Sequence, residues 1–317
     1  MNKFLSKILI LVLIVCSMAS CNTTKSRTVF AMDTVIAVEA GSDEIIDKII
    51  KSTEKIDKAL SFHNEESALS ELNLNRSIKN TPILTDCIKL AHNYSVKTGG
   101  AFNLALGQVT SLYDFEAQTA PNKEYAKTLL DTFNLENIIF LSESIVLNGA
   151  SLIDLGGIAK GYALEKAIKI LKQENQKEAY LNFGGSIYYL SNSLKSVGIK
   201  KPFTENEIAA ELLIKNVSVT TAGNYERCFT KNGELYHHII DGKTGMPVNN
   251  GVNSVTVVSS SAIEGDVYST ALFVMGKDEG IDFANKNKIA AVFILEDGSI
   301  HLTNSLTYNK ENKIILK

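Results

Sequence analysis

The chain has 317 residues, of which 45% are hydrophobic and 21% are charged, a composition typical of folded globular proteins and not of disordered ones. A formal net charge of −3 excludes a generally basic nucleic-acid-binding protein. Four cysteines in a chain of this length exclude a disulfide framework or a cysteine-rich zinc module.

The N-terminus has the pattern of a signal peptide over residues 1–20. Two lysines precede an apolar run at residues 8–15, which is too short to span a bilayer as a finished helix. Small residues then lead to Cys21, in an order that resembles a bacterial lipobox. We therefore expect cleavage before Cys21, acylation of this cysteine by lipid such as palmitate, and a polar tether over residues 21–28. These features predict a bacterial membrane lipoprotein on the extracytoplasmic (periplasmic) face, and an ordinary secretory signal is the alternative.

The remainder of the chain, residues 29–317, is expected to form one domain without internal repeats. Alternating and β-branched runs predict strands, and apolar residues spaced three or four apart predict helices. Strands outnumber the helices between them, so we expect an α+β fold with mostly antiparallel sheets and flanking helices. The predicted elements are a strand at 29–40, a helix at 44–60, a helix from Thr81-Pro82 to Gly99-Gly100, a short helix at 125–133, strands near 138–141, 145–147 and 152–155, a helix at 158–172, mainly strands from 178 to 258, a helix at 261–275, and a helix end with two or three strands over 283–317.

A small-residue loop follows the helix that ends at Gly99-Gly100. Such a loop can line a pocket, with Phe102 packed against a planar ring. A packed connector without a ligand is equally consistent with this composition.

A glycine pair joins a predicted strand to a predicted helix at residues 153–161. The backbone at Gly156 and Gly157 can approach a ligand closely, and the N-terminus of the helix favours an anion. Lys160 lies in the first turn, within reach of a phosphate. The stretch matches neither the dinucleotide fingerprint nor a Walker A loop, so a tight turn with an exposed lysine is the alternative.

Two adjacent histidines, His237 and His238, end a predicted strand before a turn at Asp241-Gly242. A histidine near a site can act as a general base at neutral pH. Neighbouring residues of a strand point to opposite faces, so at most one of the two enters a given pocket. A structural histidine is the alternative.

The helix at 261–275 carries a candidate metal site. Ser261 and Glu264 form a capping-box pattern, which fixes the start of the helix. Asp266 and Thr270 are then four residues apart on one face, with Ser269 beside them. A carboxylate with hydroxyl oxygens suits Mg²⁺ and not Zn²⁺. The alternative is an aspartate that only complements the helix dipole.

Taken together and in this order, these motifs resemble the FAD:protein FMN transferases of the ApbE family. The similarity covers about residues 29–300, and eight motifs in register make it specific. It implies the family's own α+β architecture, which is T-fold-like. The motifs are Met32-Asp33-Thr34, the stretch from Ser61-Phe62-His63 through Glu66-Ser67 to Asn73, residues 99–103, residues 154–161, Asn182-Phe183-Gly184-Gly185, residues 221–225, residues 238–245 and residues 266–270.

The resemblance also implies roles for single residues. Asp266 and Thr270 match Mg²⁺ ligands, Ser269 matches a further ligand position, and Gly157 would contribute its backbone carbonyl. His238 matches the histidine proposed to assist catalysis, with Asp266 as the second catalytic position. The positions that match FAD contacts are Met32, His63, Ala101, Phe102, Asn103, Asp154, Lys160 and Ile240.

The sequence departs from the family pattern at four positions. Asp33 stands where glycine is often found, and His63 stands where tyrosine is usual. Asn103 replaces a common aspartate, and Gly242 replaces a proline. These differences affect individual FAD contacts, most of all at His63, and leave the metal motif whole.

The resemblance implies a Mg²⁺-dependent transfer of FMN from FAD to a threonine or serine hydroxyl of an acceptor flavoprotein, with release of AMP and no role for nucleic acid. The same site with water as the acceptor would be an FAD pyrophosphatase, and the residues do not decide between the two. A non-catalytic FAD-binding lipoprotein is a third hypothesis. The intact pair of Asp266 and Thr270 argues against it, because binding a flavin ring needs no metal ligand.

Overall fold

The computed structural model describes residues 24–317. The predicted signal peptide at 1–20 and the predicted lipidation site Cys21 lie outside the described residues. Strand β1 begins at Lys25, so residues 25–28 of the expected tether belong to a sheet and not to a linker. No helix among residues 24–317 has the length and the apolar character needed to cross a membrane.

Helices and strands are distributed along the whole described chain. The helices are α1 (Asp43–Leu60), α2 (Ala68–Asn75), α3 (Pro82–Lys97), α4 (Gly107–Thr110), α5 (Lys123–Thr128), α6 (Ala159–Gln173), α7 (Ala262–Met275) and α8 (Lys277–Lys286). The strands are β1 (Lys25–Ala31), β2 (Thr34–Ala40), β3 (Ser77–Lys79), β4 (Ile138–Phe140), β5 (Ser144–Leu147), β6 (Ala179–Phe183), β7 (Ser186–Leu190), β8 (Lys195–Lys200), β9 (Ile208–Ile214), β10 (Ser218–Gly223), β11 (Cys228–Lys231), β12 (Glu234–His237), β13 (Val252–Ser259), β14 (Ala290–Leu295), β15 (Ile300–Leu302), β16 (Leu306–Tyr308) and β17 (Ile314–Leu316).

The largest sheet has eight strands in the order β1-β2-β6-β7-β10-β13-β14-β15, and every neighbouring pair in it is antiparallel. A four-stranded sheet, β16-β17-β9-β8, contains one parallel pair, between β17 and β9. Smaller sheets are formed by β3-β5-β4 and by the hairpin β11-β12. The expected α+β fold with mostly antiparallel sheets is therefore confirmed.

The large sheet lies between a layer of helices and the four-stranded sheet. Alternation along β14 shows this, because Phe293 packs into the core under the helices while Val292 and Ile294 pack into the core shared with the second sheet. Helix α1 contributes fully buried isoleucines at helical spacing, such as Ile46 and Ile49. Helix α6 packs against both α1 and α7, so these three helices form one layer.

The predicted strand at 29–40 is wrong in one respect, because it is a hairpin of β1 and β2. Met32 and Asp33 form its two-residue turn, and both have positive φ, 54° and 56°. Two consecutive positive φ values are the signature of a type I′ turn, which matches the twist of the flanking strands. The pairing Ala31↔Thr34 closes the hairpin, and the turn reverses the chain toward α1.

Other boundaries also differ from the predicted ones. Residues 152–155 do not form a strand; Leu152 makes only an isolated bridge with Leu106, and the side chain of Asn73 holds the backbone of Ile153. The predicted helix at 125–133 is α5 followed by a short 3₁₀ turn at Leu130–Phe133. Helix α2 was not predicted, and four strands instead of two or three follow α8.

Candidate functional site

One cavity of about 510 Å³ opens where the β1–β2 turn, the ends of β10 and β12, the start of α6 and the middle of α7 meet. Every site residue that the sequence predicted within the described chain lines this cavity. These residues are Met32, His63, Ala101, Phe102, Asn103, Asp154, Gly157, Lys160, His238, Ile240, Asp266, Ser269 and Thr270. The roles of these residues stay predictions, while their placement in one cavity is a property of the fold.

The contact between α6 and α7 fixes the position of Asp266. The N–H of Gly161 donates to Asp266 Oδ2 over 2.8 Å, and Asp266 is only 4% exposed. A Cβ on Gly161 would lie 2.5 Å from the carbonyl oxygen of Ala262, so only glycine permits this approach of the two helices. Lys160 Nζ is 3.9 Å from Asp266 Oδ1, which is a long ion pair. The second carboxylate oxygen therefore lies in the cavity wall beside a cation.

The two hydroxyls that follow Asp266 on α7 also line the cavity. Ser269 Oγ donates to the backbone carbonyl of Asp266 over 2.9 Å, and Thr270 Oγ1 donates to the same carbonyl over 3.3 Å. Because the hydroxyl protons are used within the helix, the lone pairs of both oxygens remain available to a cation. Gly157 lies close to Thr270, since a Cβ on Gly157 would be 3.6 Å from Thr270 Oγ1.

This donor set fits Mg²⁺, which prefers carboxylate, hydroxyl and carbonyl oxygens. Among residues 24–317, no group of three or more His, Cys, Asp or Glu side chains is arranged to hold a metal ion. A metal ion beside α7 would be held by the Asp266 carboxylate together with hydroxyl and carbonyl oxygens. The buried Asp266 carboxylate is paired with the N–H of Gly161 and, at the longer distance of 3.9 Å, with the ammonium group of Lys160. A cation in the cavity would complete this pairing.

The turn that leads into α6 is held by Asp154. Its Oδ1 accepts from the N–H of Gly156 over 2.8 Å, and its Oδ2 accepts from Thr110 Oγ1 over 2.8 Å. Helix α6 starts without a side-chain cap at Ile158, so its first N–H groups have no capping oxygen from that residue. Gly156, Gly157 and Lys160 face the cavity from this start, an arrangement that favours an anionic ligand.

Of the two adjacent histidines, only His238 lines the cavity. His237 is 2% exposed, its Nδ1 accepts from the N–H of Ile239, and its Nε2 lies 2.8 Å from the carbonyl oxygen of Val248. These partners assign the proton to Nε2, and His237 is therefore a structural histidine of the hairpin. The alternation of a strand accounts for the separation of the two side chains.

The His238 side chain is exposed to the cavity, and the protein atoms that surround it partly replace its contact with water. This desolvation lowers the pKa of His238, and the positive charges of Arg227 and Lys160 lower it further, while a hydrogen bond with the Arg227 carbonyl opposes the shift. The imidazole is therefore neutral at pH 7. A neutral imidazole in the wall of a cavity can accept a proton from a hydroxyl group.

The loop after α3 forms the apolar side of the cavity. Phe102 is 4% exposed, and its ring would lie 3.0 Å from a Cβ on Gly157, so the loop packs closely against this glycine. The amide of Asn103 is used within the loops, since Oδ1 accepts from the N–H of Ala105 and Nδ2 donates to the Phe133 carbonyl. Asn103 therefore stabilises the cavity wall through these two hydrogen bonds, in addition to its predicted role as an FAD contact.

The remaining predicted positions lie on the rim and the floor of the cavity. His63 is exposed and meets Phe62 edge-to-face, with ring centroids 5.5 Å apart. Met32 occupies the β1–β2 turn, and its N–H donates to Asp57 Oδ2 over 2.9 Å, which ties the turn to α1. Ile240 is 5% exposed and pairs with Pro247 across an isolated bridge.

Several cavity residues were missed by sequence reasoning. Tyr113 and Phe115 form a stacked pair with centroids 6.2 Å apart, and both line the cavity. Thr110 also lines the cavity and donates to Asp154, and Arg227 lines the cavity together with His238. Tyr113, Phe115 and Thr110 belong to a segment without helical or strand periodicity, and the position of Arg227 depends on strand register, so no sequence signal indicated them.

The sequence matches the ApbE family over residues 32–293. An FAD:protein FMN transferase of Klebsiella pneumoniae is 33% identical over 228 residues, which cover 69% of this chain and 70% of that protein. One of Haemophilus influenzae is 28% identical over 86% of this chain and 83% of its own. The crystal structure of the ApbE protein of Thermotoga maritima superposes with a TM-score of 0.82, at 29% identity, over 89% of this chain and 97% of that one. The flavin transferase ApbE of Vibrio cholerae shares the fold, with a TM-score of 0.76 at 22% identity.

Proposed function

This chain belongs to the ApbE family and is a flavin transferase, and we propose that it transfers FMN from FAD to a threonine or serine hydroxyl of an acceptor protein, with Mg²⁺ bound and AMP released. The observation that supports the proposal is the convergence of three kinds of group in one cavity. Asp266 leads a set of oxygen donors, Lys160 supplies a cation beside the start of a helix, and His238 supplies a neutral imidazole.

FAD would bind with its flavin against the apolar wall and its pyrophosphate toward α6. Ala101, Phe102 and the β1–β2 turn at Met32 line the apolar side of the cavity. Lys160 and the first N–H groups of α6 would attract the pyrophosphate, because both place positive potential at the same end of the cavity. The Asp154 side chain holds this turn in place through its two hydrogen bonds.

The Asp266 carboxylate, the Ser269 and Thr270 hydroxyls and the Gly157 carbonyl would hold Mg²⁺ beside the pyrophosphate. When bound, the ion would supply positive charge that stabilises the phosphate groups during transfer. Gly161 and Lys160 hold Asp266 in position for this role, through the N–H bond of 2.8 Å and the ion pair of 3.9 Å.

The transfer itself requires a proton acceptor near the attacking hydroxyl. The acceptor hydroxyl would form a bond to the FMN phosphorus while the bond from that phosphorus to AMP breaks. His238 would take the proton, because its lowered pKa leaves the imidazole neutral at pH 7. The product is a phosphoester between FMN and the acceptor side chain, and AMP leaves with the bonding electrons.

We also propose that the protein is a bacterial lipoprotein anchored through Cys21 on the extracytoplasmic face of the membrane. The support is the sequence pattern of residues 1–21, a positive start, an apolar run and a cysteine after small residues. Labelling cells with a palmitate analogue would give a labelled protein in the membrane fraction. A Cys21→Ser variant that kept the label and the membrane association would contradict this proposal.

The proposed activity is tested by incubating the purified protein with FAD, Mg²⁺ and a threonine-bearing peptide from a candidate acceptor, followed by mass spectrometry and an AMP assay. The peptide is expected to gain the mass of FMN less one water, with one AMP formed per modified peptide, and EDTA should abolish both. If AMP and FMN appear with no peptide modified across several acceptors, the protein is an FAD pyrophosphatase. Bound FAD with no AMP would identify a flavin carrier.

A further inference from the structure

The β11–β12 hairpin brings one more charged residue to the cavity, Arg227. The strand register pairs Cys228 with His237, so Arg227 and His238 are the next opposed pair, and the His238 N–H donates to the Arg227 carbonyl over 3.2 Å. Opposed residues of an antiparallel ladder have their side chains on the same face. Accordingly, both Arg227 and His238 line the cavity.

The guanidinium of Arg227 is not committed to a carboxylate. Within residues 24–317 the salt bridges involve other residues, and Arg227 is exposed to the open cavity. Lys160, on α6, already has Asp266 as a partner at 3.9 Å. A planar guanidinium with five N–H donors, none of them paired with a carboxylate among residues 24–317, matches the oxygens of a phosphate group.

The position next to His238 determines where such a phosphate would be. A general base must lie within hydrogen-bond distance of the hydroxyl that attacks the phosphorus. The residue paired with that base then lies within side-chain reach of the same phosphoryl group. Arg227 and Lys160 both line the cavity with His238, and the positive charge of each lowers the pKa of the imidazole. The carboxylates that line the cavity are Asp33, Asp57, Asp154, Glu226 and Asp266, and Glu226 is the neighbour of Arg227 in sequence.

We propose that Arg227 is a further catalytic residue, whose guanidinium binds the non-bridging oxygens of the FMN phosphoryl group as it passes from AMP to the acceptor hydroxyl. This inference rests on the proposed function. In that step the acceptor O–P bond forms, the P–O bond to AMP breaks, the hydroxyl proton passes to His238, and Arg227 exchanges no proton. Charge spreads over the equatorial oxygens in the transition state, so the contact strengthens there and acts on kcat more than on KM for FAD.

The test compares Arg227→Met, Arg227→Lys and the control Lys231→Met in the FMN-transfer assay. Lys231 is an exposed lysine at the far end of the same hairpin, so its loss removes the same charge away from the cavity. We expect Arg227→Met to lower kcat by about 10²-fold, as for loss of one preorganised donor, with KM for FAD changed little. Arg227→Lys should retain an intermediate kcat, and Lys231→Met should match the wild type. Thermal melting and flavin-fluorescence titration would establish that each variant folds and binds FAD.

Chemical rescue separates a direct role from a structural one. In Arg227→Ala, added ethylguanidinium should restore part of the lost kcat, which a damaged fold would not permit. A wild-type kcat in Arg227→Met, or a loss confined to KM for FAD, would overturn the inference. So would a large loss in Arg227→Ala and Arg227→Lys without any rescue. If the wild-type protein itself does not modify the peptide, it is the proposed function that fails.

Discussion

Gly161 packs directly against α7, where the two helices that build the candidate metal site meet. A methyl group at this position would lie 2.5 Å from the Ala262 carbonyl oxygen and 2.7 Å from Asp266 Cβ. Neither atom belongs to the flexible end of a side chain, so Gly161→Ala must push α6 and α7 apart. The change would also move the Gly161 N–H away from Asp266 Oδ2, which it now meets at 2.8 Å.

The cost of Gly161→Ala is the difference between two opposing effects. Overpacking of a well-packed core costs up to about 3 kcal/mol, and two contacts below 3 Å place this site at the upper end. Replacing glycine by alanine inside a helix stabilises the folded state by about 1 kcal/mol. The expected net loss is about 2 kcal/mol of unfolding free energy, which lowers the melting temperature by about 4 °C for a chain of this size.

Thermal melting and the Mg²⁺ dependence of FMN transfer together test this reasoning. Gly161→Ala should melt below the wild type and should need more Mg²⁺ for half-maximal rate, because the displaced Asp266 binds the ion less well. Gly242→Ala is the matched control, since its Cβ would meet nothing closer than 3.6 Å. An unchanged melting temperature and an unchanged Mg²⁺ requirement in Gly161→Ala would refute the account of this contact.

Three further predictions concern single residues. His238→Gln should reduce transfer by about 10²–10⁴-fold, the usual contribution of a general base, while flavin-fluorescence titration shows retained FAD binding; an unchanged rate would remove His238 from the chemistry. Thr270→Val keeps the shape of the side chain and removes one proposed ligand, so the Mg²⁺ concentration for half-maximal rate should rise with little change in melting temperature. Burial lowers the pKa of His237, so below pH 6.5 the unfolded chain binds a proton that the folded chain does not. Urea titrations should therefore show stability lost as pH falls from 7 to 5, by up to about 1.4 kcal/mol per pH unit for this histidine. His237→Asn should reduce that dependence without removing it, because the pKa of His238 is lowered as well.

The elements that the sequence predicted well carry both periodicity and an end signal. Helix α7 begins after Ser261, whose Oγ accepts from the Glu264 N–H, and it ends at Gly276. Helix α3 has Pro82 in its first turn, and α1 has a continuous buried face. Apolar spacing and caps are local properties, so a single sequence is sufficient to place such helices.

The errors arose where tertiary contacts determine the local structure. The β1–β2 turn contains Met32 and Asp33 in place of the Asn-Gly or Gly residues that usually indicate a type I′ turn. Residues 152–155 look like a strand, but Asn73 satisfies the backbone of Ile153 and no neighbouring strand does. Helix α2 has eight residues and a weak apolar face, which leaves little periodicity to detect.

The residues of the candidate site likewise fall into two groups, those that the sequence predicted and those that depend on tertiary structure. Asp266, Ser269 and Thr270 could be placed on one helix face from their spacing, and the resemblance supplied residues from distant segments that the fold brings into the same cavity. Arg227 could not be found in this way, because its place beside His238 follows from the register of β11 and β12. The stacked pair of Tyr113 and Phe115 likewise depends on loop packing.

The most direct test of the account is the rate of FMN transfer to a threonine peptide, measured against Mg²⁺ concentration for the wild type and for Asp266→Asn. The asparagine keeps the size of the side chain and removes the one carboxylate in the proposed ligand set. We predict a saturable Mg²⁺ dependence in the wild type, no transfer in EDTA, and little or no transfer in the variant at any Mg²⁺ concentration that saturates the wild type. Transfer in EDTA, or the same Mg²⁺ dependence in both proteins, would contradict the account.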